Sequence, residues 1–103
     1  MNLPVLAIIV PCLNEEECIS STTERLIEIL GVLENKEEIS SNSFILYIDD
    51  GSKDCTWNLI EQYNHKTNGK VKGLSFSRNF GNQKAILAGL FEALNYNADC
   101  LIS

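Results

Sequence analysis

The stretch Phe44-Ile45-Leu46-Tyr47-Ile48-Asp49-Asp50-Gly51-Ser52 decides the fold, because a continuous apolar run leads directly into a polar turn. Such a run is typical of a strand that is covered on both faces, as in a parallel sheet. The same order of an apolar run and a polar cluster occurs in residues 5–16 and 71–81. A helical pattern follows each cluster, so the sequence predicts strands that alternate with helices.

The predicted strands are Val5–Val10, Phe44–Ile48, Val71–Phe76 and a fourth near Asp99–Ser103. Pro11 is expected to end the first strand, because proline has no N–H to donate to a central ladder. Apolar residues recur at helical spacing between the strands: Ile19, Leu26, Ile29, Leu30 and Leu33, then Trp57, Leu59, Ile60 and Tyr63, then Ile86, Leu87, Leu90, Phe91 and Leu94. The predicted fold class is therefore α/β, in βαβαβαβ order, with a parallel sheet and right-handed crossovers.

Several polar residues have a structural role available beside the predicted helices. Glu15, Glu16 and Glu17 are expected in the first turn of the first helix, where negative charge suits the helix dipole. Ser52 and Asp54 are candidate N-caps of the second helix.

The composition describes one globular domain over residues 1–103, with 45% hydrophobic and 21% charged residues. The net charge of −6 and the pI near 4.6 argue against nonspecific binding to nucleic acid or to an anionic membrane. Four cysteines without C-x-x-C spacing and one histidine argue against a zinc site. The apolar residues 3–10 are too few for a signal peptide or a membrane helix. The cysteines are expected to be reduced thiols of a cytoplasmic protein.

The carboxyl ends of parallel strands meet along one edge of the sheet, where ligands of such folds bind. Asp49 and Asp50 lie at that edge on alternate faces of the second strand. One carboxylate is expected to point into the crevice and accept from N–H or O–H groups of a ligand. Gly51 permits a positive φ or a close approach of another backbone. Two alternatives stay open: an ordinary Asp-Gly turn, and metal binding by the carboxylate pair.

The segment Arg78-Asn79-Phe80-Gly81-Asn82-Gln83-Lys84 joins the third strand to a helix N-terminus, where backbone N–H groups favour an anion. Arg78 and Lys84 add positive charge, and arginine can bind phosphate through two hydrogen bonds. Solvated basic residues on a loop are the alternative. No G-x-G-x-x-G and no G-x-x-x-x-G-K-[ST] pattern occurs, which argues against a dinucleotide site and a P-loop.

The segment Pro11-Cys12-Leu13-Asn14-Glu15-Glu16 follows the first strand. Its polar residues either cap the first helix or, through a glutamate, accept from sugar hydroxyls. The single histidine is expected on the other side of the sheet, without a serine or cysteine partner. Nucleophilic hydrolysis is therefore poorly supported.

Together the three clusters resemble the N-terminal half of inverting family-2 nucleotide-sugar glycosyltransferases, which have the GT-A fold. The matching segments are Ile9–Glu16, Ile48–Thr56 and Ser77–Leu90, so the resemblance covers essentially the whole chain. The third segment is most similar to polyprenyl-phosphate glycosyltransferases, which include dolichol-phosphate mannose synthases and bactoprenol glucosyltransferases. The resemblance implies a Rossmann-like half-fold, and that residues 1–103 form the donor-binding part of a longer catalytic domain.

The resemblance also assigns nucleotide binding to particular residues of this sequence. They are Pro11, Leu13 and Glu15 in the nucleoside pocket, Asp49 and Asp50 beside the base, and Arg78 and Lys84 beneath the nucleotide and its diphosphate. The general base of the family, and its acidic motif for Mg²⁺ or Mn²⁺, are expected after Ser103. No catalytic residue and no metal ligand is therefore expected within residues 1–103.

The implied reaction moves a sugar from a UDP- or GDP-sugar to an acceptor, a polyprenyl phosphate or a glycan, in cell-wall or glycan biosynthesis. Residues 1–103 alone are expected to be inactive, and membrane association would come through residues after Ser103. Two alternatives stay open. One is a nucleotide-binding module without transferase activity, and the other is a flavodoxin-like regulatory or interaction domain.

Overall fold

A computed structural model describes residues 2–103 of the chain. Strands and helices alternate: β1 Leu6–Cys12, α1 Ile19–Asn35, β2 Phe44–Asp49, α2 Thr56–Lys66, β3 Val71–Ser75, α3 Asn82–Asn95 and β4 Cys100–Ile102. The four strands form one sheet in the order β3-β2-β1-β4, and every neighbouring pair is parallel. The predicted α/β class, element order and parallel sheet are confirmed.

Strand β2 lies between β1 and β3, and all its residues are buried. This position explains its uninterrupted apolar run, because both faces of a central parallel strand are covered. The register pairs Asp49 with Cys12 of β1 and with Ser75 of β3. The carboxyl ends of three strands therefore meet at one edge, as the sequence predicts.

Strand β1 does not end at Pro11, as the sequence analysis expected, but continues through Cys12. The Cys12 carbonyl accepts from the Asp50 N–H at 2.9 Å, so the N–H and C=O of Cys12 point toward β2. Consecutive residues of a strand direct these groups to opposite sides, so the nitrogen of Pro11 faces away from β2. On that side the described part of β4 pairs only with residues 6–8. Proline is tolerated there because no ladder bond needs its missing N–H.

The three glutamates before α1 also lie outside their predicted position, because the helix begins only at Ile19. The Glu15 carbonyl accepts from the N–H groups of Cys18 and Ile19, which makes a turn before the helix. At α2, the Asp54 carboxylate accepts from the Thr56 N–H at 2.9 Å and so serves the first turn, although Cys55 occupies the N-cap position.

The helices cover the two faces of the sheet unequally. One face is covered by α1 and α2, through large side chains such as Leu30 and Ile60. The other face is covered by α3, whose buried residues are Ala85, Gly89 and Ala93. A Cβ on Gly89 would lie 2.6 Å from Cγ2 of Ile9, so this helix and the sheet approach closely. The apolar stripe of α3 is consequently divided: Leu90 packs against the core, whereas Leu87, Phe91 and Leu94 are exposed.

Candidate functional site

A cleft of about 280 Å³ opens at the carboxyl edge of the sheet. Residues from the ends of β1 and β2 and from the start of α3 line it: Pro11, Cys12, Leu13, Glu15, Asp50, Asn79, Gly81 and Asn82. Four of them, Pro11, Leu13, Glu15 and Asp50, are residues that the sequence analysis selected. The predicted convergence of separate clusters at one edge is therefore observed for these four.

Asp50 lies in the wall of the cleft and is only 5% exposed. Its Oδ1 accepts from the Phe80 N–H at 2.8 Å, and its Oδ2 accepts from the Gly81 N–H at 2.9 Å. Both donors belong to the backbone between β3 and α3. A buried carboxylate needs such donors, because an unpaired buried charge is costly. Asp50 thus joins the end of β2 to the start of α3.

Gly51 meets both expectations that the sequence raises for it. Its φ is +83°, and a Cβ built there would lie 2.5 Å from the carbonyl carbon of Arg78 and 2.7 Å from the nitrogen of Asn79. The backbone after β3 therefore crosses directly over Gly51. Only glycine combines this φ with so close a contact.

Asp49 lies outside the cleft lining, because consecutive residues at a strand end point to opposite faces. Its Oδ1 accepts from the Ser52 N–H at 3.1 Å, which closes the turn after β2. The Ser52 hydroxyl in turn accepts from the Asn14 N–H at 2.8 Å, and Asn14 Oδ1 accepts from the Lys53 N–H at 2.9 Å. Asp49 and Ser52 thus tie the first two clusters together, and the expectation that Ser52 is an N-cap is not met.

Glu15 reaches the cleft from the turn before α1, and its backbone is tied to the second cluster. The Glu15 N–H donates to the Thr56 hydroxyl oxygen at 2.8 Å, and that hydroxyl donates to Asp54 Oδ1 at 2.6 Å. The hydrogen bond from Thr56 holds the pKa of the Asp54 carboxyl below its ordinary value. The backbone at Glu15 is therefore fixed, while the residue is exposed and lines the cleft.

Cys12 lines the cleft as well, but its chemistry is that of a buried thiol. Burial first, and the Asp49 carboxylate second, raise the pKa of the Cys12 thiol to about 12. The thiol donates to the Ile48 carbonyl at 3.6 Å. At neutral pH it is protonated and is not a nucleophile.

Arg78 and Lys84 do not line the cleft, although they lie on the segment that forms one of its walls. The guanidinium carbon of Arg78 lies 4.7 Å from the centroid of the Phe80 ring, and Lys84 Nζ lies 6.0 Å from it. Phe80 packs edge-on against Phe76, with ring centroids 5.4 Å apart. The two cations thus flank one aromatic ring beside the cleft.

Four lining residues were not selected from the sequence, namely Cys12, Asn79, Gly81 and Asn82. All four lie within the polar clusters that the sequence analysis quoted. Their identity as lining residues depends on how the backbone after β3 crosses the end of β2. The one available signal was Gly51, since glycine permits a close backbone approach.

The acidic residues described here do not fit a divalent cation. Within residues 2–103 no group of three His, Cys, Asp or Glu side chains is arranged to hold a metal ion. The Asp49 and Asp50 carboxylates, which the sequence analysis considered as a metal pair, accept from backbone N–H groups instead. No helix among residues 2–103 has the length and apolar character that crossing a membrane requires.

Comparison with known proteins gives a consistent family. The family described as glycosyl transferase family 2 matches residues 7–96. Uncharacterized glycosyltransferase YkoT of Bacillus subtilis is 49% identical over 100 residues, which are 97% of this chain and 29% of that protein.

Two further relatives carry names that state an acceptor or a sugar. A prophage bactoprenol glucosyl transferase homolog of Escherichia coli is 37% identical over 89 residues, which are 85% of this chain and 26% of that protein. An undecaprenyl-phosphate 4-deoxy-4-formamido-L-arabinose transferase of Proteus mirabilis is 30% identical over 88 residues, which are 85% of this chain and 25% of that protein. The chain thus spans between a quarter and a third of the length of these relatives.

Proposed function

Because the chain belongs to glycosyl transferase family 2, we propose that its cleft binds the nucleotide of a UDP- or GDP-sugar donor. The observation that carries the proposal is the convergence of Pro11, Leu13, Glu15 and Asp50 in one cleft at the carboxyl edge of a parallel sheet. Ligands of open α/β sheets bind at this edge.

Each lining group has a chemical role in this proposal. Pro11 and Leu13 offer apolar surface to the nucleoside. Glu15 and Asp50 offer carboxylate oxygens to ligand N–H and O–H groups, since a carboxylate has about four lone-pair sites and Asp50 uses two of them within the protein. Asp49 contributes by holding the turn after β2.

Arg78 and Lys84 supply the positive charge that an anionic diphosphate needs beside the cleft. The net charge of the chain is −6, so attraction to the diphosphate must come from local cations. The first backbone N–H groups of α3, which begins at Asn82 without a side-chain cap, act in the same direction. Both residues would meet the diphosphate at the rim of the cleft.

The proposed reaction of the whole protein is an inverting single displacement. An acceptor oxygen attacks the anomeric carbon of the sugar while the nucleoside diphosphate leaves. The acceptor is a polyprenyl phosphate or a glycan, and the names of the relatives that act with undecaprenyl phosphate or bactoprenol support the lipid. The proposal includes Mg²⁺ or Mn²⁺, bound by residues outside 2–103. The ion would neutralise charge on the leaving diphosphate.

A polyprenyl phosphate acceptor would bring the protein to a membrane surface. A cytoplasmic protein that meets the membrane through a part of the chain outside residues 2–103 is consistent with this acceptor. Both the location and the membrane contact stay predictions.

Amide NMR shifts test donor binding directly. UDP and GDP are titrated separately into the ¹⁵N-labelled chain, and we expect shifts to cluster at residues 11–15, 50–51 and 78–82. Glu15→Gln should weaken binding by about tenfold, as the loss of a charge-assisted hydrogen bond implies. Glu16→Gln is the matched control, because Glu16 does not line the cleft. A folded chain that shows no shift with either nucleotide, or shifts away from the cleft, would contradict the proposal.

A further inference from the structure

We infer that Asp50 is a positioning residue that holds the β3–α3 loop, residues 76–81, as a preformed wall of the cleft. The inference deepens the proposed function and rests on it for its consequence on nucleotide binding. The contacts between Asp50 and the loop exist in the chain without any ligand. It gives Asp50 a second role, in which it acts on a ligand through the loop.

Both carboxylate oxygens of Asp50 pair with the loop. Each oxygen of Asp50 accepts from one N–H of the loop, at 2.8 Å from Phe80 and 2.9 Å from Gly81. Asp50 is only 5% exposed, so water does not replace these donors readily. Hydrogen bonds to a charged acceptor are stronger than those between neutral groups. Two of them on consecutive N–H groups fix both the position and the direction of the backbone.

The loop backbone also packs closely against the residue after Asp50. Gly51 touches the backbone of Arg78 and Asn79, with no space for a Cβ. At the start of the loop, the Phe76 N–H donates to the Asp49 carbonyl at 2.9 Å. The end of β2 therefore contacts the loop at its beginning, middle and end.

The loop passes into α3 at Gly81, which has a positive φ. Its φ is +98°, and its N–H is shared between Asp50 Oδ2 and Asn79 Oδ1, both at 2.9 Å. The side chain of Asn79 would still accept this N–H if Asp50 were removed. The Phe80 N–H has no such second acceptor among residues 2–103, so Asp50 is decisive for it.

The consequence concerns the three cleft residues that the loop and its exit supply, Asn79, Gly81 and Asn82. Their positions depend on the contacts with Asp50 and Gly51. A ligand that touches these residues therefore benefits from Asp50 even where it does not touch the carboxylate. Preorganisation of this kind lowers the ordering cost of binding.

Amide hydrogen exchange in the absence of nucleotide tests the loop. In Asp50→Asn, one carboxylate oxygen becomes an NH₂ group and the other a neutral carbonyl oxygen, so the Phe80 N–H loses its charged acceptor in either orientation of the amide. We expect the Phe80 amide to exchange at least about tenfold faster, as the loss of a hydrogen bond to a charged acceptor implies. Asp49→Asn is the matched control and should instead accelerate the Ser52 amide. Unchanged exchange at Phe80 and Gly81 in a folded Asp50→Asn chain would overturn the inference.

A double-mutant cycle on nucleotide affinity separates positioning from direct contact. Gly51→Ala displaces the loop but alters no side chain of the cleft, so it should weaken UDP or GDP binding as Asp50→Asn does. The double variant should lose less than the product of the two effects, because both act through one loop. Gly51→Ala with displaced loop shifts and native affinity would overturn the consequence for binding. Absence of nucleotide binding by the native chain would refute the proposed function, and the exchange experiment would still decide the role in the loop.

A urea titration of each variant excludes general unfolding as the cause. Asp50→Asn should retain a cooperative transition and native exchange in β2. Gly51→Ala provides the second variant if Asp50→Asn does not fold. Its amide shifts in the loop report the contact between the end of β2 and the loop through the Gly51 backbone.

Discussion

The two faces of the sheet use opposite packing solutions. The face under α1 and α2 is filled by large side chains such as Leu30, Ile60 and Tyr47, together with a buried hydrogen bond of 2.6 Å between Thr23 and Tyr47. The face under α3 is closed by Ala85, Gly89 and Ala93. Small residues let a helix approach closely, and Leu87, Phe91 and Leu94 of α3 are exposed while Leu90 packs against the core. The comparison teaches that an apolar stripe identifies a helix but does not by itself identify its buried face.

The largest expected difference in unfolding free energy is between leucine-to-alanine substitutions in a helix on each face, at Leu30 of α1 and Leu94 of α3. Leu30 is fully buried, so Leu30→Ala should lower the free energy of unfolding by about 2–5 kcal/mol through lost burial and a cavity. Leu94 is 58% exposed, so Leu94→Ala should change it by less than about 0.5 kcal/mol. Urea unfolding followed by circular dichroism measures both. Similar losses for the two variants would mean that α3 packs through its outer stripe.

The second prediction compares a glycine in each of two helices. Ala is the better helix former, so Gly31→Ala in α1, where a Cβ meets nothing within 4 Å, should raise the free energy of unfolding by about 0.5–1 kcal/mol. In Gly89→Ala the Cβ would lie 2.6 Å from Ile9 and 3.1 Å from Ile48. Overpacking should then lower the same free energy by about 1–2 kcal/mol. Stabilisation by both substitutions would show that α3 does not approach the sheet as closely as described.

The last prediction concerns the loss of stability at alkaline pH and Cys12, which packs with the α1 and α2 face. Its pKa rises from an ordinary value of 9.0 to about 12 in the folded chain, because burial disfavours the thiolate. A raised pKa contributes stability that is complete below pH 9 and is lost as the pH rises toward 12. Cys12→Ala should therefore show a shallower alkaline loss of unfolding free energy than the native chain.

Cys55→Ala is the control for this pH dependence, since Cys55 is exposed. Its alkaline profile should follow that of the native chain. An identical alkaline slope in Cys12→Ala and the native chain would show that the Cys12 thiol ionises as freely in the folded chain as in the unfolded one.

Particular residues show how far sequence reasoning reached in the candidate site. Pro11, Leu13 and Glu15 were selected through the resemblance to the glycosyltransferase family. Asp50 was also expected at the binding edge because it follows a strand of a parallel sheet. Arg78 and Lys84 were selected by charge and by their place at a helix start. In the structure both lie beside the Phe80 ring, outside the cleft lining, and their role at the diphosphate stays a prediction. Charge is a property of one residue, whereas side-chain direction depends on the crossing of the loop over Gly51.

The amino-acid sequence by itself determined the alternation of strands and helices, the parallel sheet and the edge where the polar clusters meet. These follow from hydrophobic period and turn residues, which act over a few positions. Only the tertiary structure decided that α3 buries its small residues, that β1 runs through Pro11, and that the Asp50 carboxylate holds N–H groups 30 and 31 positions away. The physical reason is that contacts between distant segments depend on how closely the layers pack, and local patterns do not contain that distance.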